Sequence, residues 1–265
     1  MLRTLLCAIA AAATWPAVSA AQTDWYNTDR GRPLRTEDAH TLERHAIELQ
    51  IAPLTFSRVN GRSTWEVEPE LAWGLLPRTQ FEVGVPIVSR ATLGGDALVA
   101  ARGVELALLH SLNAETIWIP GLAVGMDMLV PAGGRRADQS HGAATMIMTR
   151  TSWWGRAHLN VTGHIGPKDD VSVDLPRWRT GLAVDRPFPL KSLLLAAEVV
   201  AEDPLVGGAT RWSAGTGVRW QLAPRLAFDV GIARTMTGPE RGWSFTVGHA
   251  LAFALPALQM GGTTR

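Results

Sequence analysis

Apolar and polar residues alternate along most of this chain, nowhere more clearly than between Thr64 and Ser89. There Trp65, Val67, Pro69, Leu71 and Trp73 share one parity, while Glu66, Glu68 and Glu70 share the other. Successive side chains of a strand point to opposite faces, so one face is apolar and the other carries three carboxylates. After a turn at Leu76-Pro77-Arg78 the pattern resumes, with Phe81, Val83, Val85 and Ile87 against Gln80, Glu82 and Gly84. Faces of such contrast, with Trp at both ends of the apolar row, suit a strand with lipid outside and water inside. The stretch predicts a transmembrane hairpin.

The same period recurs to the far end of the chain. Ile47, Leu49 and Ile51 oppose Glu48 and Gln50; Val104, Leu106 and Leu108 oppose Glu105; Leu122, Val124, Met126 and Met128 oppose Asp127. Residues 143–151 are apolar on both parities up to Thr149 and give the weakest alternation. Further rows begin at Ala157, Trp178, Leu193, Trp212, Leu226 and Trp243, the last running to Phe253. The total is about 12 segments, an even number, which predicts one all-β antiparallel transmembrane barrel over residues 41–253. Tight connections near Leu76-Pro77-Arg78, Ser152-Trp153-Trp154-Gly155, Arg186-Pro187-Phe188-Pro189 and Ala223-Pro224 alternate with longer ones rich in Gly, Asp, Arg and Pro. Short periplasmic turns and longer outer loops are the expected asymmetry, with the connection at 113–120 an overlong exception.

Tryptophan placement sharpens the prediction. Trp65, Trp178, Trp212 and Trp243 stand at the outer ends of segments, and Trp73, Trp153, Trp154 and Trp220 at the inner ends, with Phe253 closing the last row. The eight-residue spacing of Trp65–Trp73 and Trp212–Trp220 covers roughly 20 Å at about 3.3 Å per residue and about 40° of tilt. That approaches the roughly 25 Å apolar band between aromatic girdles. These nine residues are the expected membrane-interface girdle.

The chain has 265 residues, 46% hydrophobic and 18% charged, with a net charge of +1. That balance excludes a nucleic-acid binder. The opening MLRTLLCAIAAAATWPAVSA reads as a signal peptide over residues 1–20, ending in the small-residue motif Val18-Ser19-Ala20. It implies export by the Sec route, which together with the barrel pattern gives a bacterial outer-membrane location as the expectation. Cys7, the sole cysteine, falls inside that segment, so the mature chain has no thiol chemistry. Residues 21–40 are polar and aperiodic, either a periplasmic lead-in or a segment tucked into the barrel mouth. Residues 254–265 form a C-terminal extension.

Three stretches, RPLRTEDAHTLERHAIELQIAP, VEPELAWGLLPRTQFEVGVPIV and the last strand to Phe253, resemble the outer-membrane transporter barrels of the meta-pathway phenol-degradation family. The resemblance implies the barrel architecture and a transport role; it names no catalytic residue. The tail ALPALQMGGTTR after Phe253 departs from the habit of such barrels to end on an aromatic, the feature through which assembly machinery is expected to recognise them.

If the apolar parity meets outer-membrane lipid, the other parity lines the lumen. Glu48, Glu66, Glu68, Glu70, Glu82, Glu105 and Asp127 then line the first half of the wall. Arg177, Arg179, Arg219 and Arg225 line the second, with Glu198 and Asp229 between them. Two consequences are open: a transverse field across a narrow pore that favours small polar or zwitterionic solutes, or charges that pair across the lumen and brace it shut. The rival functional class is a lipid-modifying hydrolase, which requires a nucleophile beside an oriented His. His110-Ser111 and Ser140-His141 are adjacent pairs on opposite faces if extended, and His158 and His164 have no Ser two residues away. No metal or cofactor is implied, because His158 and His164 lie roughly 20 Å apart along a strand. The expected function is passive transport of a small solute.

Overall fold

The computed structural model describes residues 27–59, 62–91, 98–131, 140–166, 176–204, 208–238 and 241–254. The signal-peptide and C-terminal-tail assignments therefore lie outside the described residues. Twelve strands follow in order: β1 (Ala46–Val59), β2 (Arg62–Leu76), β3 in two halves (Thr79–Gly84 and Ile87–Ala91), β4 in two halves (Leu98–Ala101 and Gly103–Asn113) and β5 (Gly121–Pro131). They continue as β6 (His141–Ser152), β7 (Gly155–Ile165), β8 (Pro176–Phe188), β9 (Leu193–Pro204), β10 (Arg211–Ala223), β11 (Leu226–Thr235) and β12 (Gly242–Ala254). Every strand pairs antiparallel with its chain neighbours, and β1 pairs with β12 from Ala46↔Ala254 to Val59↔Gly242. The sheet thus closes on itself. Closure matters because hydrocarbon satisfies no backbone donor or acceptor, so an open sheet edge could not face it.

The break in β3 falls at Val85-Pro86, where Pro86 has no N–H to give the ladder. Across it the register slips by one residue, from Gly84↔Glu105 to Ile87↔Ala101, and Arg102 N–H reaches Pro86 O at 2.8 Å. The wall is bulged there but continuous.

Outward faces carry the predicted apolar rows. Leu71, Val104, Leu108, Met126, Met128, Leu182, Val184, Val199, Val218, Val230 and Val247 are all exposed on the barrel exterior. Trp65, Trp178, Trp212 and Trp243 are exposed at the loop-bearing rim, and Trp153, Trp154 and Trp220 at the rim bearing the chain ends. Phe56 lies between Trp65 (4.6 Å between ring centroids) and Phe245 (6.5 Å), a cross-strand aromatic row. The Arg234 guanidinium covers Trp243 at 5.1 Å, a charge held at the water edge by an amphipathic ring. The overlong 114–120 connection presents a further exposed aromatic, Trp118, absent from the predicted girdle.

The ambiguous stretch 143–151 resolves cleanly. Met146 and Met148 face out, whereas Ala143, Thr145, Ile147 and Thr149 face in. Ile147, 2% exposed, is apolar on the lumen side because it packs with Leu109, Ala123 and Ala39. Ala39 belongs to no strand, and its presence inside the barrel is the feature that the alternation could not show.

An arginine in the middle of a lipid-facing row should be far costlier than one at its end. Leu182→Arg, at the centre of β8, is expected to lose about 2–4 kcal/mol of folding free energy in liposomes, and Trp178→Arg about 0–1 kcal/mol. Urea titration of both variants measures the difference; equal costs would mean that the face does not lie in hydrocarbon.

Candidate functional site in the barrel lumen

Residues 27–45 run as a belt around the inside of the wall. The belt starts from a tight turn in which Arg32 N–H bonds Asp29 O at 2.9 Å. Thr28 and Asp38 close its two arms, Thr28 N–H reaching Asp38 Oδ2 at 3.0 Å and Asp38 N–H reaching Thr28 O at 3.1 Å. Having no ladder of its own, the belt takes its hydrogen bonds from wall side chains. The Arg35 and Thr36 amides donate to Glu198 on β9 (3.0 and 2.9 Å), and Glu37 exchanges two bonds with Asn160 on β7 (2.8 and 2.9 Å). Ala39 N–H reaches Thr149 Oγ1 on β6 at 2.9 Å, Leu42 N–H reaches Gln80 Oε1 on β3 at 2.7 Å, and His45 N–H reaches Gly74 O on β2 at 2.8 Å.

The wall leaves room for this belt by carrying no side chain where it passes closest. A Cβ on Gly231 would sit 2.2 Å from Pro33 O, and one on Gly74 1.9 Å from Glu43 O. Neither approach is possible with any residue but glycine, because the atom met is backbone.

Electrostatics follow the same complementarity. Arg30 forks between Glu105 and Asp127, 2.6 Å from each. Arg32, fully buried, meets Asp229 (3.1 Å), Glu48 (3.3 Å) and Asp29 (2.6 Å). On the basic side, Arg219 binds Asp229 (2.5 Å), Asp29 (2.6 Å) and the Asn27 carbonyl. Arg156 binds Asp185 at 2.6 Å and Asp38 at 3.3 Å. Glu202 receives Arg179, Arg211 and Arg35 at 3.2–3.4 Å. The belt thus brings cations to the acidic wall and anions to the basic one.

Of the sequence-predicted lumen residues, Glu48, Glu105, Asp127, Arg179, Glu198, Arg219 and Asp229 are all engaged in this network. Glu66 pairs with Arg102 at 3.4 Å, Glu82 accepts from Gln80, and Glu68 and Glu70 lie on the same inward parity of β2. Two differ from expectation. Arg177 sits at the β8–β9 register shift, largely exposed and 3.9 Å from Asp203, because the bulge turns it off the inward parity. Arg225 occupies the two-residue turn between β10 and β11, not a wall position. The expected transverse field between facing acidic and basic walls is interrupted by the belt. Sequence reasoning missed Asp29, Arg30, Arg32, Arg35 and Asp38, although DRGRPLRTED holds three cations and three anions in ten residues.

What space remains is small. The cavities flanking the belt are of about 30 Å³ and less, room for a water molecule or two.

One cluster has the outline of a hydrolytic relay. His158 lies 3.0 Å from Thr149 Oγ1 through Nδ1 and 3.0 Å from Asp185 through Nε2. Asp185, bound by Arg156, is an acceptor, which assigns the ring proton to Nε2 and makes Nδ1 the acceptor of the Thr149 hydroxyl. That hydroxyl oxygen then receives the Ala39 amide. Thr149 is fully buried beneath the belt, and the chain Asp185–His158–Thr149–Ala39 fastens the docked belt to the wall. Among the described residues no group of three His, Cys, Asp or Glu side chains could hold a metal.

No family model and no curated protein matches this chain. Solved structures match it in fold. The COG4313 outer membrane channel from Pseudomonas putida F1 superposes with TM-score 0.53 at 11% identity, over 85% of this chain and 100% of that one. The NanC porin superposes with TM-score 0.50 at 7% identity, over 77% of this chain and 98% of that one. The architecture is that of outer-membrane β-barrels.

Two outcomes test the docked belt. Gly231→Val should expel it while leaving the barrel intact, so trypsin should cut after Arg30 and Arg35 although heat-modifiable gel mobility is retained; protection equal to wild type would contradict the docking. Docking should also weaken with rising pH. Burial pushes the Glu37 carboxyl up to about 8 from its ordinary 4.5, and the hydrogen bond that the His40 ring donates to Asp38 raises His40. Both groups hold a proton more tightly when docked, so their contribution is present at lower pH and lost as pH climbs through those raised values. Cleavage, normalised to Gly231→Val, should rise between pH 6 and 9, and less so in Glu37→Gln.

Proposed function

We propose that this protein is a bacterial outer-membrane channel for small polar solutes, described here in its closed form, with residues 27–45 as the closing segment. The observation that carries this reading is the nature of what fills the lumen. Among the described residues, its buried apolar clusters are two small groups, Ala39–Leu109–Ala123–Ile147 and Leu34–Ala183–Ala196. The remaining contacts are ion pairs and hydrogen bonds, and these can be exchanged for water at modest net cost. A segment held in this way can leave a hydrated lumen without unfolding the wall. The fold neighbours described as a channel and a porin support the transport class, and the sequence resemblance to the phenol-degradation barrels supports kinship with that group. In this reading the chain ends face the periplasm, residues 1–20 direct export, outer-membrane lipid surrounds the wall, and the assembly machinery inserts it.

A reversible lock provides the test. Built on Gly181, a Cβ lies 3.5 Å from Thr36 Cβ, at the short limit of disulfide spacing. The Thr36→Cys/Gly181→Cys protein should be silent in planar bilayers when oxidised and should open after reduction. Deletion of residues 27–42 should conduct continuously. A folded deletion variant with neither single-channel steps nor solute flux in liposomes would overturn the channel reading.

A further inference from the structure

Three guanidinium groups converge on Glu202, and two of them are under-used. Arginine has five N–H donors. Among the described residues, the Arg179 side chain spends only Nε, on Glu202 at 3.2 Å, and the Arg35 side chain only Nη1, on the same carboxylate at 3.4 Å. Both side chains reach solvent, Arg35 being 41% exposed and Arg179 30%. Their remaining donors border a cavity of about 30 Å³ that Asn160, Thr162, Thr145 and His164 also line. The His164 Nε2 atom is buried there without a hydrogen-bond partner. The cavity lining itself carries the cations Arg30, Arg35 and Arg179 against the carboxyls Glu37 and Asp127, one cation in excess.

We propose that this cavity is a binding site for the carboxylate group of a small organic acid, built jointly by Arg179 of the wall and Arg35 of the belt. The space admits a carboxylate group, with the rest of the acid directed to the solvent that Arg35 and Arg179 reach. Planar guanidinium donors suit a two-oxygen anion, and His164 and the one hydroxyl proton left over by the Thr145–Thr162 hydrogen bond complete the shell. Asp127, on the opposite side of the cavity, is already committed to Arg30. Glu37, the other carboxyl of the lining, is pushed up to about 8 by burial and is neutral at pH 7, so a cation finds one carboxylate there, already paired. Because Arg35 travels with the belt, the site is complete only in the closed lumen. A ligand that binds only the docked state favours it by the same factor, so the acid acts as a closing effector. That consequence rests on the channel reading; the existence of the site does not.

Isothermal titration on the full chain in detergent tests the site without reference to conductance. Propionate should bind saturably and propylammonium should not. Arg179→Gln and Arg35→Gln should each weaken propionate roughly 10-fold or more, with heat-modifiable mobility showing that both fold. The 27–42 deletion, which removes Arg35, should lose the affinity. Absence of saturable propionate binding to wild type, equal binding of propylammonium, or unchanged affinity in both arginine variants would overturn the proposal. Undiminished affinity in the deletion variant would overturn the joint site. A deletion variant that does not conduct, beside a full chain that binds propionate, would sink the channel reading alone.

Discussion

Hydrocarbon accepts no hydrogen bonds, and this one constraint orders the molecule from the outside in. It requires the twelve strands to close, Ala46 against Ala254, so that no backbone group is left at an edge. It places Leu182, Met126, Val230 and their neighbours outward and drives every charge of the strands toward the lumen or the rims. The interior is then crowded with ionisable groups in a narrow space. At this strand number they are too close to be screened by bulk water and too numerous on each side to neutralise themselves.

The belt answers that second problem. Its three arginines and two of its carboxylates, Asp29 and Asp38, meet wall groups of opposite sign, and its amides find Glu198, Asn160, Thr149 and Gln80. An apolar filler would have bound a greasy lumen more tightly. A polar filler fits a charged lumen and leaves it hydratable, since buried ion pairs add little beyond what water gives the same groups. The wall stays up because of backbone ladders and lipid; the lumen is filled by interactions that water can replace. That separation of roles is the physical basis for treating the belt as a movable part.

The histidine relay shows how geometry can mislead without accessibility. Thr149, His158 and Asp185 are spaced as a hydrolase needs, yet the hydroxyl oxygen is spent on the Ala39 amide and faces a filled lumen. The donors at Arg35 and Arg179 are the reverse case: no arrangement of note in sequence, but exposed N–H groups bordering a cavity.

Alternation alone determined the strands, their number, their inward and outward faces, and the two levels of tryptophan, because a two-residue period is a local property that hydrocarbon enforces at every turn. It could not read Ile147, which is apolar on the inward side for the sake of Ala39, more than a hundred residues away. Nor could it place Arg177, whose parity depends on a register shift between β8 and β9. The six charges of residues 29–38 were visible as composition but not as a position, since an aperiodic segment carries no signal of where it lies. Only the closed barrel decides that, by leaving Gly74 and Gly231 without side chains where Glu43 and Pro33 pass and surrounding Arg32 with carboxylates from strands at both ends of the chain.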